Sequence, residues 1–439
     1  MNERDSEIMS QLLSSYGYIE GVELESADLV ILNTCSIRAK AEQKVMSLLG
    51  SLRKIKAERP EMKICVAGCV AQQEGEQLLH RMPHIDLVIG TQHIYDIGKL
   101  LENSLVADKA VVKTGMSDSF SIPAYLPAGR SKTSNDVPVS TFRRFVTIMQ
   151  GCDNYCSYCI VPFTRGREIS RNIDDIIDEV KVLVDSGIKE ITLLGQNVNS
   201  YGRTNMVDKS GVRYSFPDLL HRVAEVPGLA RLRFTTSHPK DLSDELIKCF
   251  RDIDMLCPQF HLPVQSGSDA VLKRMNRKYT IDGYMEKVEK LVLCRPDIAL
   301  TTDIIVGFPG ETDEDFQLTM DLLEKVRYHG SFSFKYSDRP GTRASDFADK
   351  IDERVKSERL ARFQKRQDEI SLERNRVYLQ TIQTILIEAV GPDSFQGRTG
   401  TNHIVHVAGA TDLAPGELED VIIIHAGQHS LQGKTIKLP

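Results

Sequence analysis

Gly151-Cys152-Asp153-Asn154-Tyr155-Cys156-Ser157-Tyr158-Cys159 places three cysteines within eight residues, spaced C-x3-C-x2-C. The chain holds nine cysteines in 439 residues, so the spacing carries the information and not the number. Three thiolates at this spacing suit a [4Fe–4S] cluster with one iron left open. A closed electron-transfer cluster needs a fourth nearby cysteine, and none follows until Cys249. Structural zinc ribbons pair a C-x2-C with a second such pair, which this stretch lacks.

The triplet follows the first of six strand–helix units. Their strands read as Phe145–Gln150, Ile191–Asn197, Leu232–Ser237, Phe260–Gln265, Leu300–Val306 and Ser331–Tyr336. The helix after Asp174-Asp175 has acids at its start, apolar Ile176, Ile177, Val180, Leu183 and Val184, then Gly187 as its stop. Six such units predict a partial TIM-like (β/α)6 barrel, whose site lies at the carboxyl ends of the strands. Those ends carry Gln196-Asn197, Ser237-His238, Gln265-Ser266 and Asp303. Each taken singly reads equally well as a turn or cap. Their recurrence at successive strand ends is what favours a site, and the triplet opens into the same mouth.

Upstream, residues 5–16 read as an amphipathic helix with Ile8, Leu12 and Leu13 on one face. Strands follow at Leu29–Leu32, Lys63–Ala67 and Asp86–Ile89, with a helix from Ala39 to Glu58. This alternation predicts an α/β, doubly wound parallel sheet over residues 1–105. Cys35 and Cys69 each come just past a strand's carboxyl end, the edge where open α/β sheets bind ligands. They read either as metal ligands or as small buried hydrophobes; Cys65 reads as strand interior. Residues 106–137 lose periodicity and read as a linker. The core then runs over 138–370. A charged helix spans Arg354 to Tyr378, with a mostly solvated face. Residues 376–439 switch to short β-runs, Thr384–Ala389, His403–Val407, Val421–His425 and Lys434–Leu438, which predict a small barrel of about five strands. That segment has three Lys and Arg against six Asp and Glu from 379 onward, so charge alone does not make it an RNA binder. Its His403, His406, His425 and His429 read as surface or turn residues.

With 41% hydrophobic and 26% charged residues, the composition is that of an ordinary globular protein. A net charge of −6 gives no global nucleic-acid signature, so any RNA contact must use local patches. No signal-peptide core and no run of eighteen apolar residues occurs, so the expected location is cytoplasmic, with no membrane partner. Clustered cysteines without a signal read as metal ligands in a reducing compartment.

The stretch Ile148 to Glu168, with Gln150-Gly151-Cys152-Asp153-Asn154-Tyr155-Cys156-Ser157-Tyr158-Cys159 and Phe163-Thr164-Arg165-Gly166-Arg167-Glu168, closely resembles the radical S-adenosylmethionine methylthiotransferases. So do Leu194–Gly202, Thr236–Pro239, His261–Gly267 and Asp303–Thr312 in the barrel, and Leu32-Asn33-Thr34-Cys35 and Ala67-Gly68-Cys69 near the start. The C-terminal barrel is similar to a TRAM module. Within the family, the triplet and its sequel most resemble the branch acting on N6-isopentenyladenosine beside the tRNA anticodon. One departure concerns the start. The family's first domain opens with a strand and Gly-Cys-Gln before a Met-Asn pair, whereas this chain begins Met1-Asn2-Glu3-Arg4. The expectation is that about ten to twenty further residues, one strand and its turn, are encoded upstream, and that the auxiliary cluster lacks its first cysteine ligand in this chain.

The resemblance implies two [4Fe–4S] clusters. Cys152, Cys156 and Cys159 would hold the one that binds and cleaves S-adenosyl-L-methionine; Cys35 and Cys69 would hold the auxiliary one that carries the sulfur. Gln196, Ser237 and Asp303 are candidate cofactor contacts. The implied product is methylthiolated at C2 of the adenosine, with S-adenosylmethionine as radical and methyl source. That C2–H bond is unactivated, beyond ordinary side-chain acid–base chemistry. Implied partners are the tRNA and an electron donor such as flavodoxin or ferredoxin, acting on a monomer. Rivals within the class are a threonylcarbamoyl-adenosine tRNA or a ribosomal-protein aspartate as substrate. A non-catalytic iron–sulfur RNA-binding protein is the rival outside it.

Overall fold

The computed structural model describes residues 1–34, 39–107, 109–117, 120–124, 142–204, 208, 210–409 and 412–436. They fall into two compact units. One comprises Met1–Val137, Met149–Asp153 and Cys159–Arg171; the other comprises Pro138–Ile148, Asn154–Tyr158 and Asn172–Pro439.

The first unit is built on a parallel sheet of β1 (Leu29–Thr34), β2 (Lys63–Gly68), β3 (Leu87–Ile89) and β4 (Val111–Lys113), in that order. Its strands are apolar runs because both faces are covered. Ile64, Val66 and Val88 pack with Leu49 and Leu52 on one side; Cys65, Leu87 and Ile89 pack with Met9 and Leu13 on the other. The opening helix, Asn2–Ser15, is longer than the hydrophobic pattern predicts. The three-residue β4 falls where periodicity is lost, being too short to show a period of two.

The second unit opens with β5 (Arg143–Thr147). The chain then passes through a short antiparallel pair, β6 (Met149–Gln150) and β7 (Ile169–Ser170), that belongs to the first unit. Five more barrel strands follow: β8 (Glu190–Leu194), β9 (Arg231–Thr235), β10 (Gln259–His261), β11 (Ala299–Val306) and β12 (Gly330–Lys335). All pair in parallel, as β5-β8-β9 and β10-β11-β12, with a bridge from Leu232 to Leu256 between the two sets. A helix follows each strand, so the six predicted units form the partial barrel.

Local chemistry sets the helix starts. Asn172 accepts from the Asp174 N–H at 2.9 Å, and Ser215 with Asp218 and Thr312 with Asp315 make reciprocal capping boxes; each cap contributes about 1 kcal/mol. β8, β9 and β10 end two to four residues sooner than the sequence predicts, whereas β11 ends at Val306 as predicted and β12 one residue early. Gln196, Asn197 and Ser237 lie in the loops beyond β8 and β9, and Gln265 forms an isolated parallel bridge with Ile304.

The chain closes with the helix Glu353–Arg376 and a five-stranded barrel of β13 (Ile382–Val390), β14 (Ser394–Thr399), β15 (Ile404–Ala408), β16 (Leu418–Ala426) and β17 (Ser430–Thr435). Alternate residues Ile385, Ile387, Val405, Val407, Val421 and Ile423 fill its core. This barrel is bolted to the amino-terminal ends of the larger barrel's strands. Arg231 donates to the Arg398 and Thr384 carbonyls at 2.6 and 2.8 Å, and Arg233 to the Thr399 and Gly400 carbonyls, both at 2.8 Å. Arg143 pairs with Glu388 at 3.0 Å. His406, His425 and His429 are exposed, and His403, half-buried, lies in the turn between β14 and β15. It packs 4.8 Å from Tyr378 and 6.0 Å from His329, and burial lowers its pKa to about 4.

Candidate active site

The cysteine loop is held from both of its flanks. In the first unit, Gly151 adopts φ +80, and a Cβ there would lie 2.0 Å from the Arg167 carbonyl oxygen. The Cys152 N–H donates to the Gly166 carbonyl at 3.3 Å, and Arg167 pairs with Asp153 at 3.1 Å. In the second unit, Ser157 donates from its N–H to the Met275 carbonyl and from Oγ to the Arg274 carbonyl, both at 2.9 Å. Asn276 holds the Tyr155 carbonyl at 2.7 Å, and Lys240 holds Asn154 Oδ1 at 2.6 Å. Cys156 is buried, and the Arg277 Nη1 donates to its Sγ at 3.4 Å. Arg277 is fixed in turn by the Pro263 carbonyl at 2.8 Å and the Tyr279 hydroxyl at 2.9 Å. Nothing periodic in Met275-Asn276-Arg277-Lys278-Tyr279 announces this role.

Cys69 opens the helix Cys69–Glu74 directly after β2. Gly68 precedes it at φ +87, where a Cβ would lie 2.4 Å from Asn33 Oδ1 and 2.9 Å from the Thr34 carbonyl. Only a glycine lets the ends of β1 and β2 come this close. The Arg165 guanidinium donates to Asp5 at 2.7 Å and Asn2 at 3.1 Å, and also hydrogen-bonds Cys69. Burial opposes its charge, but Asp5 and then Cys69 outweigh burial and raise its pKa. Cys35 lies outside the described residues. Cys65 is buried inside β2, as its sequence position indicates.

At the mouth of the partial barrel, buried polar atoms stand without hydrogen-bond partners: Asn197 Oδ1, Thr236 Oγ1, Ser237 Oγ and His238 Nε2. Buried polar atoms are nearly always satisfied, so these four are available to a water or a polar ligand. Asn197 donates to Asp241 at 2.7 Å, and Asn199 to the His238 carbonyl at 3.0 Å. His238 Nδ1 accepts from the Lys240 N–H at 3.1 Å. Burial, then Arg277 and the neighbouring lysines, lowers its pKa far enough to keep the ring neutral, with its proton on Nε2. Gln196 is half-buried at the end of β8.

Asp303 on β11 lies 3.3 Å from His261 Nε2 on β10. Burial lowers the His261 pKa to about 4 and raises that of Asp303 from 3.8 to about 6, with Arg277 pulling the latter back. A carboxyl raised in this way stabilises the fold fully below pH 3.8, and that contribution is lost as the pH rises through about 6. The rise corresponds to at most about 3 kcal/mol, and 29% side-chain exposure reduces it to about 1–2 kcal/mol. Asp303→Asn is therefore expected to raise the unfolding temperature at pH 7.5, with the gain fading towards pH 4. Equal unfolding temperatures at pH 7.5 would count against the buried carboxyl.

The Radical SAM superfamily profile matches residues 146–323, and that of uncharacterized protein family UPF0004 matches residues 1–90. The tRNA-2-methylthio-N(6)-dimethylallyladenosine synthase of Desulfotalea psychrophila is 60% identical over 437 residues, spanning 100% of this chain and 97% of its own. The chain belongs to that synthase family. The synthase of Geobacter sulfurreducens is 48% identical over 438 residues, spanning 99% of this chain and 95% of its own. Among solved structures, the radical S-adenosylmethionine methyltransferase TsrM of Kitasatospora setae, with tryptophan and a cofactor analogue bound, superposes with a TM-score of 0.55. It has 14% identity over 78% of this chain and 67% of its own, which speaks to the fold alone.

As a radical S-adenosylmethionine enzyme, the protein uses a [4Fe–4S] cluster and S-adenosylmethionine. The donor set fits. Cys69, Cys152, Cys156 and Cys159 are all thiols outside any disulfide. The triplet loop is anchored on both flanks, and the orphaned polar atoms open beside it in the second unit. Among the described residues, no three His, Cys, Asp or Glu side chains already stand in a coordinating arrangement. Nor is any helix there long and apolar enough to cross a membrane.

Proposed function

We propose that the enzyme methylthiolates C2 of N6-dimethylallyladenosine beside the tRNA anticodon. The observation that carries this reading is the 60% identity to a synthase of that name over the full chain, triplet loop included. Cys152, Cys156 and Cys159 would hold the radical-generating cluster, and Cys35 and Cys69 a second, sulfur-carrying one. When bound, cluster and S-adenosylmethionine supply a carbon radical able to break an unactivated C–H bond. The chain's own residues orient and insulate. Arg277 donates to Cys156, and Arg165 to Cys69, each from a buried guanidinium. Asn197, Ser237 and the neutral His238 offer polar atoms to a ligand at the mouth, with Gln196 and Asp303 at the neighbouring strand ends.

Four parts carry these roles: a methylthiotransferase domain over 1–105, a linker over 106–137, the radical core over 138–370 and a TRAM-like barrel over 376–439 for the RNA. A small electron carrier such as flavodoxin or ferredoxin would reduce a cytoplasmic monomer. The test is an anaerobic assay with reconstituted protein and anticodon stem–loop RNAs bearing either dimethylallyl- or threonylcarbamoyl-adenosine. Product from the first RNA alone supports the reading; product from the second alone defeats it.

A further inference from the structure

The segment after the helix Asp269–Arg274 meets the cysteine loop residue by residue. The Arg274 and Met275 carbonyls take the Ser157 hydroxyl and N–H, both at 2.9 Å, and Asn276 takes the Tyr155 carbonyl at 2.7 Å. Asn276 turns the chain at φ +58, a conformation that asparagine tolerates better than most residues. Arg277 follows directly, and its guanidinium reaches Cys156, the residue between the two already held. That guanidinium is buried. Its Nη1 donates to Cys156 Sγ at 3.4 Å, Nη2 to the Pro263 carbonyl at 2.8 Å and Nε to the Tyr279 hydroxyl at 2.9 Å.

A buried cation is normally neutralised by a carboxylate, because an uncompensated charge costs several kcal/mol. None of these three partners is one. The carbonyl is neutral. Tyr279 is a neutral phenol, its pKa pushed up to about 12 chiefly by burial. Asp303 feels the guanidinium charge but lies against His261 at 3.3 Å. Among the three partners, the Cys156 sulfur is therefore the one that can carry negative charge.

Resting on Cys156 as a ligand of the radical-generating cluster, we propose that Arg277 is a positioning residue that sets how readily that cluster is reduced. The step it acts on is the transfer of one electron from the electron carrier to the cluster; no bond forms or breaks and no proton moves. Cluster and thiolates together become more negative by one charge, and a fixed positive charge at a ligand sulfur stabilises that state. Net charge and hydrogen bonds to the sulfurs are levers that set such potentials. Arginine suits the role because it stays charged at every working pH and its planar fork holds several partners at once.

The full-length protein, reconstituted anaerobically, would be poised at a series of potentials and its reduced cluster read by electron paramagnetic resonance. The signal that changes on adding S-adenosylmethionine marks the open-iron cluster. At the wild-type midpoint, Arg277→Gln should lower the ratio of reduced to oxidised cluster about tenfold, a shift of about 59 mV for one electron. Arg277→Lys, which keeps the charge, should recover most of that shift. Cleavage of S-adenosylmethionine by Arg277→Gln should fall at that poise and recover under excess reductant; a failure to recover marks a structural defect and overturns the proposal. Should the amide variant lose iron, Arg277→Met fills the same space with no polar group to bury and should shift the midpoint at least as far. An unchanged midpoint in an iron-replete neutral variant overturns the proposal, as does loss of iron from both neutral variants, which assigns Arg277 to cluster assembly. If no wild-type signal responds to S-adenosylmethionine, the functional reading falls and the proposal with it; a responsive cluster whose midpoint ignores Arg277 overturns the proposal alone.

Discussion

Cys156→Ala is expected to abolish both 5′-deoxyadenosine formation and methylthiolation. The change is chemical, because the loop's supports stay in place. Ser157 keeps its two bonds to the Met275 and Arg274 carbonyls, and Asn276 still holds Tyr155. What is lost is one of the three thiolates proposed to hold the cluster, and two would not retain an open-iron cluster. Arg277 also loses the sulfur it faces at 3.4 Å, leaving a buried cation with one fewer partner. Iron content, visible absorbance and the electron paramagnetic resonance signal of the reduced protein should fall together with activity. Cys257→Ala is the control: that thiol is buried with its pKa raised, chiefly by burial, and should leave iron and turnover near wild type. A reconstituted Cys156→Ala protein that still cleaves S-adenosylmethionine would remove Cys156 from the site.

What could be read in the chain follows from the range of each interaction. Apolar periodicity is local, so all six barrel strands were legible, as were β1 to β3 of the first unit's sheet, while the three-residue β4 was not. Spacing is local too, and the triplet stood out. Cys69 could be placed at a strand end because Ile64–Ala67 is a continuous apolar run closed by Gly68. The two arginines that meet cysteines were not legible. Arg277 reaches Cys156 from 121 residues away, and Arg165 is paired with Asp5 across 160 residues. No periodic pattern marks a residue whose partner is set by tertiary folding alone. Short elements escaped for a different reason: β14, Ser394–Thr399, contains a glycine, an arginine and two hydroxyls, and its inward residues are too few to make a pattern.

Arg233→Ala should be among the most destabilising single changes outside the cluster site. The C-terminal barrel carries none of the nine cysteines, so deleting residues 379–439 would be expected to leave the core cluster intact, but the docking chemistry argues otherwise. Arg233 is 6% exposed and lies 3.0 Å from Glu190, itself 5% exposed, while its other nitrogens donate to the Thr399 and Gly400 carbonyls. Removing the guanidinium strips a buried carboxylate of its ion pair and the Gly400 carbonyl of its donor, while the Thr399 carbonyl keeps only the Asn402 N–H at 3.0 Å. Breaking a buried pair from one side costs about 3–5 kcal/mol, against a total domain stability of roughly 5–15 kcal/mol. The unfolding temperature should fall on the order of 10 °C. Adding Glu190→Gln removes the stranded charge and should recover at least about 1 kcal/mol, a coupling that separates the ion pair from simple loss of packing. Truncation after residue 378 would strip the same carbonyls from both Arg231 and Arg233. Iron retention in the truncated protein should therefore drop along with RNA affinity. An Arg233→Ala protein that unfolds at the wild-type temperature would show that the small barrel is tethered and not built in.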